Sequence, residues 1–166
     1  MNEIIIIKKI QKKLKNYKFL DGIFKFSSYS LYFPYNIIWL SVLFYVLNYN
    51  VIACLLFIGY FELITYMIKI TVKRKRPFFV DKTLLLDKMK PHSYSFPSAH
   101  SIGSWLLTFI IYQKYPFYIL YLYPIIVGLS RIYLGVHYPS DVLMGYFFGY
   151  LFQLQIIYMN LLKFLI

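Results

Sequence analysis

Apolar residues in this chain run in long blocks separated by short polar joints, and block length is the first property that constrains the fold. A helix needs about 20 predominantly apolar residues to cross the hydrocarbon of a bilayer. Five stretches approach that length: Leu31 to Leu47, Val51 to Ile70, Ser98 to Gln113, Pro116 to Leu134 and Val142 to Leu165. The joint from Asn48 to Asn50 is a tight polar turn, so the first two blocks are expected to form a helical hairpin. The longest polar connection, Lys73 to Phe96, is punctuated by Pro77 and Pro91, with Pro97 just beyond it, and is the natural place for a site.

The N-terminal segment has a different pattern. Ile4 to Ile7 are followed at once by Lys8, Lys9, Lys12, Lys13, Lys15 and Lys18, too soon for a spanning helix. Ile7, Ile10, Leu14 and Tyr17 recur at helical spacing between those lysines, which predicts an amphipathic helix lying on an anionic membrane surface. A cleaved signal peptide fits poorly, because the charges follow the apolar stretch instead of preceding it. The expected architecture is therefore all-α and integral to the membrane, a single domain over 1–166. A basic amphipathic segment covers 1–30, and a bundle of about five transmembrane helices covers 31–166.

Composition supports that solvent assignment. Hydrophobic side chains make up 60% of the chain, too many for an ordinary soluble domain of this size. Eighteen basic residues against six acidic ones give a net charge of +12, which calls for anionic partners such as lipid headgroups or phosphates. Nucleic acid is disfavoured, since the cations flank apolar blocks and do not form the stripe of a soluble binder. Cys54 is the one cysteine and lies in an apolar run, with no partner for a disulfide or a thiolate metal site.

Alternating spans bring the end of the second block, the start of the third, the end of the fourth and the start of the fifth to one membrane face, together with the N-terminus. Three polar clusters fall on that face. In the first, Lys69 and Arg76 are separated by two helical turns, so a shared stripe would grip one phosphate; Pro77 is expected to end the helix and leave Arg76 at its rim. The plainer alternative is a positive flank, which is also the reading for Lys73, Arg74 and Lys75. In the second, Ser98 and His100 open an apolar helix. Ser98 is either its N-cap or in its first turn, where free N–H groups face an anion, and His100 is placed to give a proton to a leaving oxygen. A cap plus an interfacial histidine is the plainer alternative. In the third, Ser130, Arg131, His137 and Asp141 join the fourth block to the fifth. Asp141 is the acidic residue near His137 in sequence, and a carboxylate on Nδ1 leaves Nε2 nucleophilic; alternatively Ser140 or Asp141 simply caps the last helix.

These three segments together resemble the signature of the type 2 phosphatidic acid phosphatase superfamily, which contains lipid phosphate phosphatases, isoprenyl diphosphate phosphatases and vanadium haloperoxidases. Lys69 with Arg76 and Pro77, then Pro97, Ser98 and His100, then Ser130, Arg131, His137 and Asp141 match its pattern in order and spacing. The resemblance implies metal-independent removal of phosphate from a lipid phosphate ester or diphosphate, with no cofactor. It implies that His137 attacks phosphorus to form a phosphohistidine, that Asp141 orients it, and that His100 is the general acid and then the base. Lys69, Arg76, Ser98, the backbone near Ala99 and Arg131 would hold the phosphate. Ala99 stands where the family usually has Gly, which would weaken activity if that backbone required a positive φ.

Family members commonly have six spans, and here the basic segment stands in place of the first. The N-terminal lysines then share the catalytic face, which predicts a site facing the cytoplasm. Three other functions share the same residues: a phosphotransferase using the same phosphohistidine, a catalytically silent protein that binds anionic lipid, and a vanadate-dependent peroxidase, which the multispan, short-loop pattern disfavours. His92, in the loop from Phe78 to Phe96, is read as a solvated loop histidine, with contact to a headgroup as the alternative.

Overall fold

In the computed structural model, residues 2–31, 35–86 and 93–165 are described, and His92 and Pro91 lie outside them. Helices α1 (Asn2–Leu14) and α2 (Lys18–Tyr29) precede a hairpin of α3 (Tyr35–Val46) and α4 (Val51–Val72). A short α5 (Pro77–Val80) and a 3-10 turn (Lys82–Leu84) lead to α6 (Ala99–Lys114). A second 3-10 turn runs into α7 (Leu122–Tyr133), followed by α8 (Pro139–Tyr158) and the terminal turn α9 (Leu162–Leu165). There is no strand among the described residues.

The polar joint after α3 closes as the sequence suggests. Asn48 takes φ 56°, a left-handed conformation that Asn tolerates, and Asn50 caps α4 by accepting from Ala53 N–H at 3.1 Å. The main core lies between α3, α4, α6 and α8, where Phe44, Phe61, Ile102, Leu106, Ile110, Phe152 and Ile156 are buried together. Phe61 and Phe152 meet at 4.3 Å between ring centroids. Gly145 lets α6 and α8 close up: a Cβ there would lie 2.7 Å from Ser101 Cβ and 2.8 Å from the Ser98 carbonyl.

The outer surface is strongly apolar. Ile38, Val42, Ile52, Leu56, Leu63, Ile125, Leu143 and Leu151 are all exposed, more than water tolerates and what a lipid-facing surface requires. By length and apolarity, one stretch among the described residues, Val51–Val80, whose helix α4 covers Val51–Val72, suffices to cross a membrane.

Two expectations are corrected here. Pro77 does not end the second apolar helix. Lys73 does, by adopting the left-handed conformation at φ 52° and returning its N–H to Lys69 O, after which the chain is non-helical to Arg76, itself extended, and Pro77 starts α5 at its first position. Arg76 is therefore not on a helical stripe with Lys69. The apolar stripe of α1 packs in large part on protein: Ile7 is fully buried against Leu84, Ile132, Tyr138 and Val142, Ile10 and Leu14 are partly buried while Tyr17 is exposed, and Gln11 donates to Leu84 O and Tyr133 O at 2.7 Å each. Burying one isoleucine in this way contributes about 1.5–3 kcal/mol. The lysines of α1 remain exposed on its other face.

Candidate active site

Lys69, in the last turn of α4, is buried, and its Nζ donates to Pro97 O at 2.6 Å and to Tyr94 O at 3.1 Å. These bonds draw the loop before α6 over the end of α4. Arg76, also buried, fans across the same loop: Nε donates to Ser93 O at 2.7 Å and Nη2 to Ser93 Oγ at 3.0 Å, while Nη1 donates to Val136 O at 2.9 Å. Arg76 Nη1 also lies 3.1 Å from His137 Nε2. A guanidinium has no acceptor, so in this contact Nε2 presents its lone pair and the ring proton sits on Nδ1. That nitrogen faces Asp141 Oδ2 at 3.6 Å and has no hydrogen-bond partner among the described residues.

Asp141 is fully buried in the first turn of α8. Its Oδ2 accepts from Tyr138 N–H at 2.9 Å, so the residue caps the helix as the plain alternative has it, and the same oxygen faces His137 Nδ1. Ser98 is the N-cap of α6, accepting from Ser101 N–H at 3.3 Å and Ser101 Oγ–H at 2.9 Å, and its own N–H donates to Asp141 O at 3.1 Å. Ala99 is the first residue of α6 and is not among the positive-φ positions, so the backbone strain that would favour Gly there is absent. Gly135, at φ 72°, makes the tight turn that returns the chain from Arg131 to His137, and the N–H groups of Val136 and His137 both reach back to Arg131 O.

A cavity of about 710 Å³ is lined by Lys69, Arg76, Ala99, His100, Arg131 and His137 at its polar end and by Phe44, Leu106 and Ile110 among its apolar walls. Ser98 and Asp141 lie behind that lining. Electrostatically the polar end is cationic. Burial, then the charges of Arg76, Arg131 and Lys69, push the His137 imidazole well below its ordinary range, so it is neutral at physiological pH.

Several participants escaped the sequence reading. Ser28 of α2 accepts from Arg131 Nη1 through its hydroxyl, and its carbonyl lies 3.2 Å from His100 Nε2, which must therefore carry a proton. Ser93 holds Arg76, and Glu62 lines the cavity two turns from Lys69. Glu62 had a sequence signal, an ionisable residue within an apolar run; Ser28 and Ser93 had none. Arg74 is not a solvated flank, because it donates to Asp141, Ser140 and Glu3.

This geometry is that of a helical bundle whose largely apolar cavity has a cationic, histidine-containing end. The crystal structure of a transmembrane PAP2 type phosphatidylglycerolphosphate phosphatase from Bacillus subtilis has the same fold, with a TM-score of 0.57 and 21% identity over 96% of each chain. The family model of the PAP2 superfamily matches residues 46–164, and this chain belongs to that superfamily. Among curated relatives, an undecaprenyl-diphosphatase of Sulfolobus acidocaldarius is 36% identical over 49% of this chain and 41% of its own. Phosphatidylglycerophosphatase B of Bacillus subtilis is 30% identical over 69% of this chain and 60% of its own. A decaprenylphosphoryl-5-phosphoribose phosphatase of Mycobacterium tuberculosis is 36% identical over 52% and 48%. The matches thus span between 41% and 60% of these relatives.

Proposed function

We propose that this chain is a multi-pass membrane hydrolase that removes phosphate from a lipid phosphate monoester or diphosphate, of the phosphatidate, phosphatidylglycerol phosphate or isoprenyl diphosphate type, through a phosphohistidine. The observation that carries this reading is the state of His137: its Nε2 lone pair lies in a cationic pocket while its Nδ1 faces a buried carboxylate. In the first step Nε2 attacks phosphorus, the bond from phosphorus to the lipid oxygen breaks, and that oxygen takes a proton from the imidazolium form of His100, which is left neutral. In the second, His100 takes a proton from water as the water oxygen attacks, the phosphorus–nitrogen bond breaks, and phosphate leaves with His137 restored. Arg76, Arg131 and Lys69 neutralise the phosphate oxygens, and a substrate oxygen takes over the Arg76 N–H that Nε2 now accepts. Ser98 and the backbone at Ala99 support the cradle at the start of α6. The apolar cavity walls suit a lipid chain.

Five crossings, formed by α3, α4, α6, the segment through α7, and α8, agree with the exposed apolar surface and put the exposed lysines of α1 on the catalytic face. By the positive-inside rule that face is cytoplasmic, where the lysines would meet anionic lipid. Protease protection of a tag at residue 1 in sealed cells tests this; cleavage from outside refutes it.

The catalytic proposal is tested with purified protein in detergent and chelator against a panel of lipid phosphates. Metal-independent phosphate release that is lost in His137→Ala is the expected result. Absence of release on the whole panel, with lipid binding unchanged in the variant, would instead establish a binding protein. Phosphate appearing only when an alcohol acceptor is supplied, and then on that acceptor, would establish a phosphotransferase.

A further inference from the structure

Arg74 lies between two lysines, Lys73 and Lys75, that are exposed, yet its own side chain turns inward. Its Nη1 donates to Asp141 Oδ1 at 2.6 Å and to Ser140 Oγ at 2.7 Å, and its Nη2 donates to Glu3 Oε1 at 2.8 Å. The guanidinium carbon stands 4.0 Å from the centroid of the Tyr138 ring. Glu3 completes the link with its other oxygen, which accepts from Ser140 N–H at 2.9 Å. Burial works against the Glu3 carboxylate, but its bonds from Ser140 and Arg74 hold it below the ordinary range, so it is charged at neutral pH. A planar fork is needed here, since one guanidinium serves two carboxylates and a hydroxyl at once.

The arrangement fixes the carboxylate that faces Nδ1 of the nucleophile. Asp141 has two oxygens: Oδ2 is bonded to Tyr138 N–H and faces His137 Nδ1, and Oδ1 is held by Arg74. Rotating the carboxylate would break the Arg74 bond to Oδ1 or the Tyr138 bond to Oδ2. Arg74 is not part of the cavity lining, so it acts through Asp141 and not on substrate. We propose that Arg74 is a positioning residue that sets the orientation and charge of Asp141, and that Glu3 holds Arg74 in place, so that docking of the N-terminal helix α1 is coupled to the basicity of His137. This rests on His137 being the nucleophile.

The experiment compares the full chain with Arg74→Ala, Arg74→Lys, Glu3→Gln, Glu3→Gln/Arg74→Ala and His137→Ala, measuring kcat, KM and the pH profile of kcat on one lipid phosphate. The charged and titratable groups facing the His137–Asp141 pair are Arg74 and Arg76 from the α4–α5 connection, Lys69 of α4, His100 of α6 and Arg131 of α7, with Glu3 of α1 behind Arg74. Arg74→Ala is expected to lower kcat by about 10- to 100-fold with KM within about threefold, as loss of a group supporting an active-site ligand does. Removing that cation makes protonation of the His137–Asp141 pair easier, so the acid limb of the profile moves to higher pH. Arg74→Lys recovers part of kcat. Glu3→Gln lowers kcat a few-fold in the same direction, and adds less in the Arg74→Ala background than alone, as coupled residues do.

A folded Arg74→Ala with unchanged kcat and acid limb overturns the proposal, as does a loss confined to KM. Full additivity of Glu3→Gln and Arg74→Ala overturns the link to α1. If Arg74→Ala does not fold, unchanged kcat in both Arg74→Lys and Glu3→Gln overturns the proposal instead. Turnover retained in His137→Ala removes the nucleophile on which it rests, whereas silent Arg74 variants in an enzyme killed by His137→Ala remove only the positioning role.

Discussion

Arg76 Nη1 donates to Nε2 of His137 across 3.1 Å, and that contact joins two residues 61 positions apart in the chain. It engages the Nε2 lone pair with a cation that also lines the polar end of the cavity. Replacing Arg76 with Lys keeps the charge but gives up the fork that holds Ser93, Val136 and His137 together. The expected outcome is a fall in kcat/KM of about 10²-fold or more, from the loss of bidentate contacts worth about 1.5–3 kcal/mol each. Steady-state hydrolysis of a lipid phosphate by Arg76→Lys measures it.

His137 has its imidazole pKa pushed below the ordinary range by burial and by Arg76, Arg131 and Lys69. A base with a lowered pKa stays unprotonated, and so nucleophilic, as pH falls through the region where a free histidine would charge. The rate profile on a diphosphate is therefore expected to show no acid limb at the ordinary histidine pKa of about 6.5. An acid limb centred there, present in wild type and shifted by mutation of Arg131, would contradict this account.

Gly135 carries φ 72°, and a Cβ at that position would strike the Leu84 carbonyl. Gly135→Ala is expected to destabilise the protein by about 1–3 kcal/mol, because strain in the left-handed region adds to a backbone clash. It also displaces the turn that carries His137. A thermal melt in detergent together with the phosphatase assay reads both effects.

Gly145→Ala forces α8 away from Ser98 and Ser101. Those helices carry Asp141 and His100, so activity is expected to fall even where the melt moves little. A melt shift with full activity would show that the closeness of α6 and α8 serves packing alone.

On the surface, Asp81 pairs with Lys8 at 2.7 Å and accepts from Thr83, and these bonds lower its carboxyl to about 2. A lowered carboxylate stabilises the fold above its unfolded pKa, here about 4, and that contribution disappears as pH falls from there through the folded value. Acid titration of wild type against Asp81→Asn, followed by fluorescence of α1 labelled at Lys9, should show the difference vanish below about pH 2.

The order of apolar blocks, the hairpin at Asn48 to Asn50 and the three polar clusters were legible along the chain, because span length, turn residues and motif spacing are local properties. The sequence also supplied the residue types needed for phosphate and proton chemistry, from Lys69 through Asp141. Helix geometry does not carry through to Arg76, since a single left-handed residue, Lys73, ends α4 and leaves the arginine on the non-helical link before α5. The fate of the N-terminal segment was equally hidden: an amphipathic stripe has the same spacing whether it meets lipid or protein, and Ile7 turns out to meet protein. Ser28, Ser93, Arg74 and Glu3 matter through partners 17 to 137 positions away. No local pattern encodes such pairings. They arise only when burial removes water from the polar end of the bundle, so that each donor and acceptor there must find its match within the protein.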